Sequence, residues 1–222
     1  VLGTRSETHA SPQGSRPFVI EYGGPEFLYK LMSWFMRHFP KAVPTLMHVT
    51  LGATQSDDVI MHAPEALNFG VPNKAPVIAT SCGVPTANIA TTTDDLLEWF
   101  RKRRRDVGAY ISSPIGLRFV KAAEAHMSPA QGRDTCMIEV PTLVGTPKDR
   151  ETLDACQDFL RAKVGGRAHW GQLNETTADE LTGLYPSMDR FLKALRVLNP
   201  KGYFDNAFTE QMDLAKNPTS SS

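Results

Sequence analysis

One short stretch near residue 170 concentrates side chains that could handle a ligand. Gly165–Gln172 contains the imidazole of His169, the donor-only indole of Trp170 and the amide of Gln172, with glycines on both sides. Such polar groups are costly in a closed apolar core but useful beside a bound molecule, which a glycine backbone can approach closely. The stretch therefore predicts a site, although a lone histidine is about as often a satisfied structural residue.

Two further candidates come from a pair of predicted strands. Alternation along Ile115–Lys121 separates Arg118 from an apolar row, and alternation along Thr135–Val140 does the same for Glu139. If both apolar rows face covering helices, Arg118 and Glu139 project together from the uncovered face of a sheet. Two interpretations stay open: a solvated cross-strand ion pair that contributes little to stability, or a pair that contacts a substrate.

The elements that must position these residues follow a β-α-β-β-α-β order. They are strands at Val77–Ser81, Ile115–Lys121, Thr135–Val140 and Arg167–Trp170, a helix from a cap at Thr92 or Thr93 through Asp106, and a helix over Asp149–Val164. This order predicts an α+β fold, with an antiparallel sheet covered by helices on one face.

The flanking regions are less regular. Apolar residues recur at helical spacing over Pro25–Phe39, which predicts an amphipathic helix that needs a partner for its apolar face. Residues 40–74 contain several Gly and Pro and predict short strands and loops. The residues after Glu180 are predicted to be helical and to end in a loop at Gly202.

Composition excludes several classes of function. The 222 residues are 41% hydrophobic and carry a formal net charge of +0, so no long-range field attracts nucleic acid or an anionic membrane. No apolar run is long enough to span a bilayer, which predicts a soluble protein of undetermined compartment. The basic run Arg101–Arg105 is interpreted as the solvated end of a helix rather than a nucleic-acid site.

Cysteine spacing and glycine spacing exclude two further kinds of site. Cys82, Cys136 and Cys156 are well separated and form no CxxC pair, so they predict buried free thiols rather than a metal centre. The sequence contains neither G-x-G-x-x-G nor a P-loop, and therefore no phosphate-binding loop of these kinds.

Three motifs together carry a resemblance to a known family. Arg167–Gln172 is similar to an Arg-Pro-His-Trp-Gly-Lys motif, Asn199–Thr209 to a closing Asn-Pro-x-Gly-x-Phe-x-Asn segment, and Ser128–Thr135 to a Ser-Pro-x-x-Gly-Arg-Asp-Thr turn. All three belong to the aldonolactone and alditol oxidases, a branch of the vanillyl-alcohol oxidase superfamily. The resemblance covers Pro76 to Thr209. It implies the ferredoxin-like cap of an FAD-dependent oxidoreductase, followed by a helical segment that returns to a flavin domain.

The resemblance also implies roles for individual residues. Removing a hydride from a carbinol to a flavin requires the hydroxyl proton to leave as well, so a carboxylate or neutral imidazole beside a cation is chemically sufficient. From the residues alone, Asn206 is interpreted as a loop residue that satisfies backbone groups; the family places its segment beside the flavin. The expected catalytic residues are Arg118, Glu139, His169 and Gln172. The expected cofactor-binding residues are His169, Trp170, Gly171 and Asn206, and no metal ligand is expected.

Three positions depart from the alditol oxidase pattern. Gly116 stands where those enzymes carry a glutamate, Gln172 stands where they carry a lysine, and Glu139 stands where they carry a histidine. A carboxylate and a cation are thus removed or moved. We do not expect polyol specificity to carry over, and we expect Glu139 to restore the lost carboxylate from the neighbouring strand.

The family's flavin-binding half precedes the region of resemblance and has no counterpart in the sequence. The expected organisation is a flexible segment at 1–16, a connecting region at 17–75 that packs on a flavin domain, a substrate-binding cap at 76–172, a C-terminal segment at 173–216 that contacts the flavin domain, and a tail at 217–222. FAD is then expected to be held mainly by a second polypeptide or by a preceding domain removed by proteolysis. The alternative is a non-catalytic binding or regulatory module that retains the cap fold.

Overall fold

Two N-terminal helices are followed by a split βαβ arrangement and then by three short helices. The computed structural model of the protein describes residues 26–53 and 76–215. Its elements are α1 (Glu26–His38), a 3₁₀ turn (Pro40–Ala42), α2 (Val43–Ala53), β1 (Val77–Pro85), a second 3₁₀ turn (Thr86–Asn88), α3 (Ile89–Val107), β2 (Gly116–Val120), β3 (Thr135–Leu143), α4 (Asp149–Val164), β4 (Arg167–Ala168), α5 (Ala178–Leu184), α6 (Met188–Leu198) and α7 (Ala207–Gln211).

The sheet has four strands in the order β2-β3-β1-β4, and every neighbouring pair is antiparallel. Helices α3 and α4 are the two crossovers of the β-α-β-β-α-β unit, and both pack on the same face. The predicted α+β fold, with one face of an antiparallel sheet covered by helices, is confirmed. Because α3 and α4 occupy one face, the side chains of alternate residues on β2 and β3 are left on the other.

The main core lies between this sheet and the two covering helices. The apolar row predicted on β3 is fully buried there, because alternation sends every second side chain toward the helices. Its members and their helical partners are Cys136, Ile138 and Val140 from β3, Leu96 from α3, and Leu153, Cys156 and Leu160 from α4. The predicted orientation of β3 is therefore correct.

Several predicted boundaries need correction: β3 extends to Leu143 rather than ending at Val140, and β4 ends at Ala168 rather than Trp170. Helix α3 begins at Ile89 rather than at a cap on Thr92 or Thr93, because the 3₁₀ turn after Pro85 leads directly into it. Thr93 lies inside the helix and donates its hydroxyl to the carbonyl of Ile89 at 2.7 Å. Strand β1 continues beyond Ser81 to Pro85, since β3 pairs with it along its whole length.

The prediction of short strands and loops from residue 40 is wrong for its first part. Residues 43–53 form α2, because Val43 is buried with Met36 of α1 against Leu143 at the end of β3. Tyr110 packs against the same cluster. Residues 54–74 lie outside the described residues. The helix predicted over Pro25–Phe39 is confirmed as α1.

A second core cluster joins the C-terminal helices to the end of the sheet. Leu181, Tyr185, Met188 and Met212 are buried, and Trp170 and Phe208 are among the residues that pack against them. The predicted helices after Glu180 are thus present. Within residues 26–53 and 76–215, no helix combines the length and the hydropathy that crossing a bilayer requires.

Candidate functional site

Arg118 and Glu139 meet on the uncovered face of the sheet, as the alternation predicts. The register pairs Arg118 with Met137 and Gly116 with Glu139, so Arg118 and Glu139 are diagonal neighbours on one face. Long side chains can bridge that diagonal. The guanidinium Nη2 of Arg118 lies 2.5 Å from the carboxylate Oε2 of Glu139. The guanidinium side chain is 67% exposed and the carboxylate side chain 18%, so the pair has one open and one sheltered member.

Gln172 holds the other oxygen of the same carboxylate. Its Nε2 donates to Oε1 of Glu139 at 2.9 Å. Gln172 follows β4, and β1 lies between β4 and β3, so its side chain reaches across β1. The residue of β1 that pairs with Glu139 is the small Ser81, which leaves room for this crossing. The structure thus brings together three residues that are far apart in the sequence.

Gly116 leaves space beside the carboxylate. A Cβ atom at this position would lie 3.7 Å from both the Cβ and the Oε2 of Glu139, which is ordinary van der Waals contact. A side chain as long as glutamate would stand next to the Glu139 carboxylate and repel it. The glycine is therefore compatible with a carboxylate on β3, and the two departures from the alditol oxidase pattern form a consistent pair.

His169 is exposed and lies in the turn that also carries Gln172. Its backbone N–H donates to the carbonyl of Ser81 at 2.8 Å, which extends the pairing beyond β4. Its Nδ1 accepts a hydrogen bond from the N–H of Gly171 at 3.0 Å. An Nδ1 that accepts must be unprotonated, so the neutral ring carries its proton on Nε2. In this arrangement His169 is a hydrogen-bond donor through Nε2.

Gly171 is in close contact with that imidazole. A Cβ atom at Gly171 would lie 3.3 Å from Cε1 and 3.5 Å from Nδ1 of His169. A larger residue would therefore displace the ring or weaken the hydrogen bond to it. The glycine is required here by the close approach of a side chain, with no unusual backbone angle involved.

The side chain of Trp170 points into the second core cluster. Its Nε1 donates to the carbonyl of Met127 at 2.7 Å, and its ring packs on Tyr185 and Phe208 with centroid distances of 5.7 and 6.1 Å. Trp170 therefore ties the loop before β3 to the C-terminal helices. Its expected contact with a cofactor stays a prediction. The indole N–H is not available for such a contact, because it already donates to Met127.

Asn206 is the N-cap of α7. Its Oδ1 accepts from the backbone N–H groups of Phe208 and Thr209, and its Nδ2 donates to the carbonyl of Phe204 at 3.2 Å. This agrees with a loop residue that satisfies backbone groups. The polar atoms of its side chain are used within the loop, so a cofactor contact from this segment would come from other atoms.

Two arginines that the sequence analysis did not single out as site residues build the frame of the site. Arg133 donates through Nη2 to the carbonyls of Gly83 in β1 and Gly165 before β4, at 3.0 and 2.9 Å. Burial lowers the pKa of its guanidinium below the usual range. An arginine remains charged under such conditions, and its two hydrogen bonds connect β1 to the segment before β4.

Arg167 closes the other side of that frame. Its Nε donates to the carbonyl of Leu184 at 2.7 Å and its Nη1 to the carbonyl of Gln131 at 2.7 Å, while its guanidinium lies 5.2 Å from the ring of Tyr185. Burial, together with the charge of Arg133, lowers the pKa of Arg167. The signal that could have found it was its place two residues before His169, inside the motif already noted.

The described ranges contain no group of three or more His, Cys, Asp and Glu side chains able to hold a metal ion. The three cysteines are free and buried, as their spacing predicted. Burial raises the pKa of the Cys82 thiol to about 12, and it also raises the pKa of Cys156. These thiols are protonated at neutral pH and are packed in the core, away from the uncovered face.

Comparison with known proteins gives a consistent family match. The sequence model of the family described as D-arabinono-1,4-lactone oxidase matches residues 9–212. L-gulono-1,4-lactone dehydrogenase from Mycobacterium tuberculosis is 27% identical over 176 residues, which are 79% of this chain and 39% of that protein. L-gulonolactone oxidase from Bos taurus is 31% identical over 101 residues, 45% of this chain and 23% of that protein.

A third relative is named for a different activity. Alditol oxidase from a Streptomyces species is 29% identical over 110 residues, which are 50% of this chain and 26% of that protein. The matches thus span well under half the length of these relatives. Their names are those of oxidoreductases that act on lactones or alditols.

Proposed function

Because the chain belongs to the D-arabinono-1,4-lactone oxidase family, with a match over residues 9–212, we propose that it forms the substrate-binding and catalytic part of an FAD-dependent oxidoreductase. The substrate is a hydroxylated, sugar-like molecule such as a lactone. Its carbinol carbon loses a hydride and its hydroxyl loses a proton. The observation that carries this proposal is the Arg118–Glu139–Gln172 network on the uncovered face.

FAD would supply the hydride acceptor, and the described residues fit one wall of a flavin site. His169 and Gly171 are exposed beside the network, and the backbone at Gly171 carries no side chain that would obstruct a ring. The sequence has no glycine-rich phosphate loop of the usual kinds. The phosphates and most of the cofactor are therefore assigned to a second polypeptide or a separate flavin domain.

Glu139 is the proposed acceptor for the substrate's hydroxyl proton. Gln172 occupies its Oε1 and Arg118 its Oε2. A carboxylate offers about four lone-pair positions, so two such bonds leave capacity for a hydroxyl donor. The same two bonds restrict the rotation of the carboxylate, which holds the accepting atom in place before substrate arrives.

Arg118 and His169 are the proposed donors to the substrate's oxygen. Arg118 uses Nη2 for the ion pair, and its remaining side-chain N–H groups have no partner among the described residues, so they can bond an oxygen that becomes negative as the proton leaves. His169 can donate through Nε2 while Nδ1 accepts from Gly171. We therefore divide the proton-handling role between these residues, with Glu139 accepting and His169 donating.

The exposed apolar residues of the chain support a partner for this half of the enzyme. Leu31, Trp34 and Phe39 in and after α1 are each more than half exposed, and Val197, Leu198, Tyr203 and Phe204 near the C-terminal helices are largely exposed. Such groups of apolar residues mark contact surfaces in soluble proteins. We assign them to the flavin-bearing part, and we expect the chain expressed alone to aggregate or bind hydrophobic dyes.

The decisive experiment combines the chain with its flavin-bearing part and measures two properties. An absorption spectrum tests for bound flavin, and anaerobic stopped-flow mixing with L-gulono-1,4-lactone, D-arabinono-1,4-lactone and an alditol tests whether it is reduced. We expect reduction by at least one lactone, and faster reduction by lactones than by the alditol. A preparation that binds a lactone but contains no flavin would instead establish the non-catalytic binding module.

A further inference from the structure

A cavity lies on the opposite side of the sheet from the Arg118–Glu139–Gln172 network. It has a volume of about 290 Å³ and is enclosed by α2, by the C-terminal half of α3 and by the segment 109–114 that leads to β2. Its walls include Met47, Leu97, Phe100 and Tyr110. None of the proposed site residues lines it, so it is a separate feature of the fold.

Two guanidinium groups stand at the edge of these apolar walls. Arg101 and Arg104 are three residues apart on α3, which places them on one side of the helix, and both line the cavity. None of its described lining residues is acidic. Arg101 is paired with Glu98 at 3.4 Å with both side chains 59% exposed, a weak contact, and Arg104 forms no ion pair within the described ranges.

We propose that this cavity binds a small amphipathic monocarboxylate, such as a medium-chain fatty acid or an aromatic acid. The apolar walls would take the hydrocarbon body, and the two guanidinium groups would take the carboxylate, for which their planar donor geometry is suited. A volume near the lower end of ligand cavities limits the ligand to a compact one.

The end of α3 opposes an anion, but the arginines outweigh it. A helix C-terminus carries roughly half a negative charge and Glu98, which pairs with Arg101, adds one more, whereas Arg101 and Arg104 together bring two positive charges to the same edge. The net field at the mouth of the cavity is therefore attractive to a carboxylate. A neutral ligand of the same shape would gain only the apolar contacts.

An occupant would contact a segment that is tightly connected to the sheet. Ser112 lies in the segment 109–114, its Oγ is 2.9 Å from the Oγ1 of Thr142, and it accepts from the N–H of Leu143 at 2.9 Å. Thr142 and Leu143 are the end of β3, the strand that carries Glu139. A ligand that binds the folded protein and not the unfolded chain stabilises the fold, so a thermal shift reports its binding.

The test uses the complete protein with its flavin-bearing part and sodium octanoate as the probe. Calorimetric titration and thermal shift are measured with octanoate, with 1-octanol as the neutral control and with inorganic phosphate as a control for a bare anion. Of the three compounds, we expect only octanoate to bind saturably. Arg101→Gln and Arg104→Gln should each weaken octanoate binding about tenfold or more, while Lys102→Gln, which removes a neighbouring exposed cation outside the lining, should not.

Other results would overturn the assignment. They are an absence of saturable binding, equal binding of octanol, or affinity that is unchanged in both cavity variants. Loss of octanoate binding in Arg118→Lys would also overturn it, because the anion would then occupy the proposed substrate site. If octanoate binds but no substrate reduces the flavin, this inference stands while the proposed enzymatic function fails.

Discussion

Replacement of Arg118 by lysine tests the role of the network most directly. Lysine keeps the positive charge beside Glu139 but removes the planar set of N–H donors. If Arg118 only forms a surface ion pair, this change is nearly silent. If its remaining N–H groups bind the substrate's oxygen in the transition state, catalysis falls while folding is preserved.

The structure sets the size of the two effects. Because the guanidinium is 67% exposed, the ion pair with Glu139 contributes at most about 1 kcal/mol to stability. For a chain of this size that corresponds to a change in melting temperature of about 2–4 °C. Loss of one donor to a developing oxyanion lowers rates about 100-fold or more, equivalent to roughly 2.7–4 kcal/mol. The catalytic effect should therefore exceed the structural one severalfold.

The assay is the anaerobic rate of flavin reduction by the best lactone, with the melting temperature measured in parallel. Arg150→Lys is the matched control, because Arg150 forms a 2.6 Å ion pair with Glu175 at 58% and 41% exposure, in residues that are not part of the network. We expect slow reduction only in Arg118→Lys. Equal reduction rates in both variants would refute the argument and leave Arg118 as a surface residue.

Four further predictions follow from other residues. Glu139→Gln and His169→Ala should each slow flavin reduction far more than they weaken flavin binding, and one of them should remove a limb of the pH profile in stopped-flow measurements; unchanged rates in both would assign proton transfer to another group. Gly166→Ala should destabilise the fold by about 1–3 kcal/mol in urea titrations, because the new Cβ would lie 2.6 Å from Sγ of Cys82. Gly183→Ala, where a Cβ meets no atom of the described part of the chain within 4 Å, should instead stabilise helix α5 by about 0.5–1 kcal/mol. Burial raises the pKa of Cys82 from 9.0 to about 12, so the folded state keeps a proton that the unfolded chain loses; stability should be full below pH 9 and fall as the pH rises toward 12, and Cys82→Ala should flatten that decline.

Local sequence determined most of the α+β unit. The alternation in β3 predicted which side chains enter the core, because a strand sends successive residues to opposite faces. The helix at Asp149–Val164 was predicted to the residue, and it ends where Gly165 adopts a left-handed conformation with φ of 60°. The facing of Arg118 and Glu139 followed from the same alternation, although Leu117 and Phe119 on β2 are 41% and 59% exposed and so do not form the buried row that was predicted there.

Tertiary packing decided the rest. Residues 43–53 lack a clear helical period, yet they form α2 because Val43 is buried against Leu143, a contact between positions a hundred residues apart. The bond from Gln172 to Glu139 depends on β1 lying between β3 and β4, which no local pattern encodes. The motif around Trp170 could equally have surrounded a ligand or a core. The carbonyl of Met127, which accepts the indole N–H, and the rings of Tyr185 and Phe208 hold that ring inward and leave His169 exposed. Side-chain direction in a turn is set by the partners that the fold brings to it.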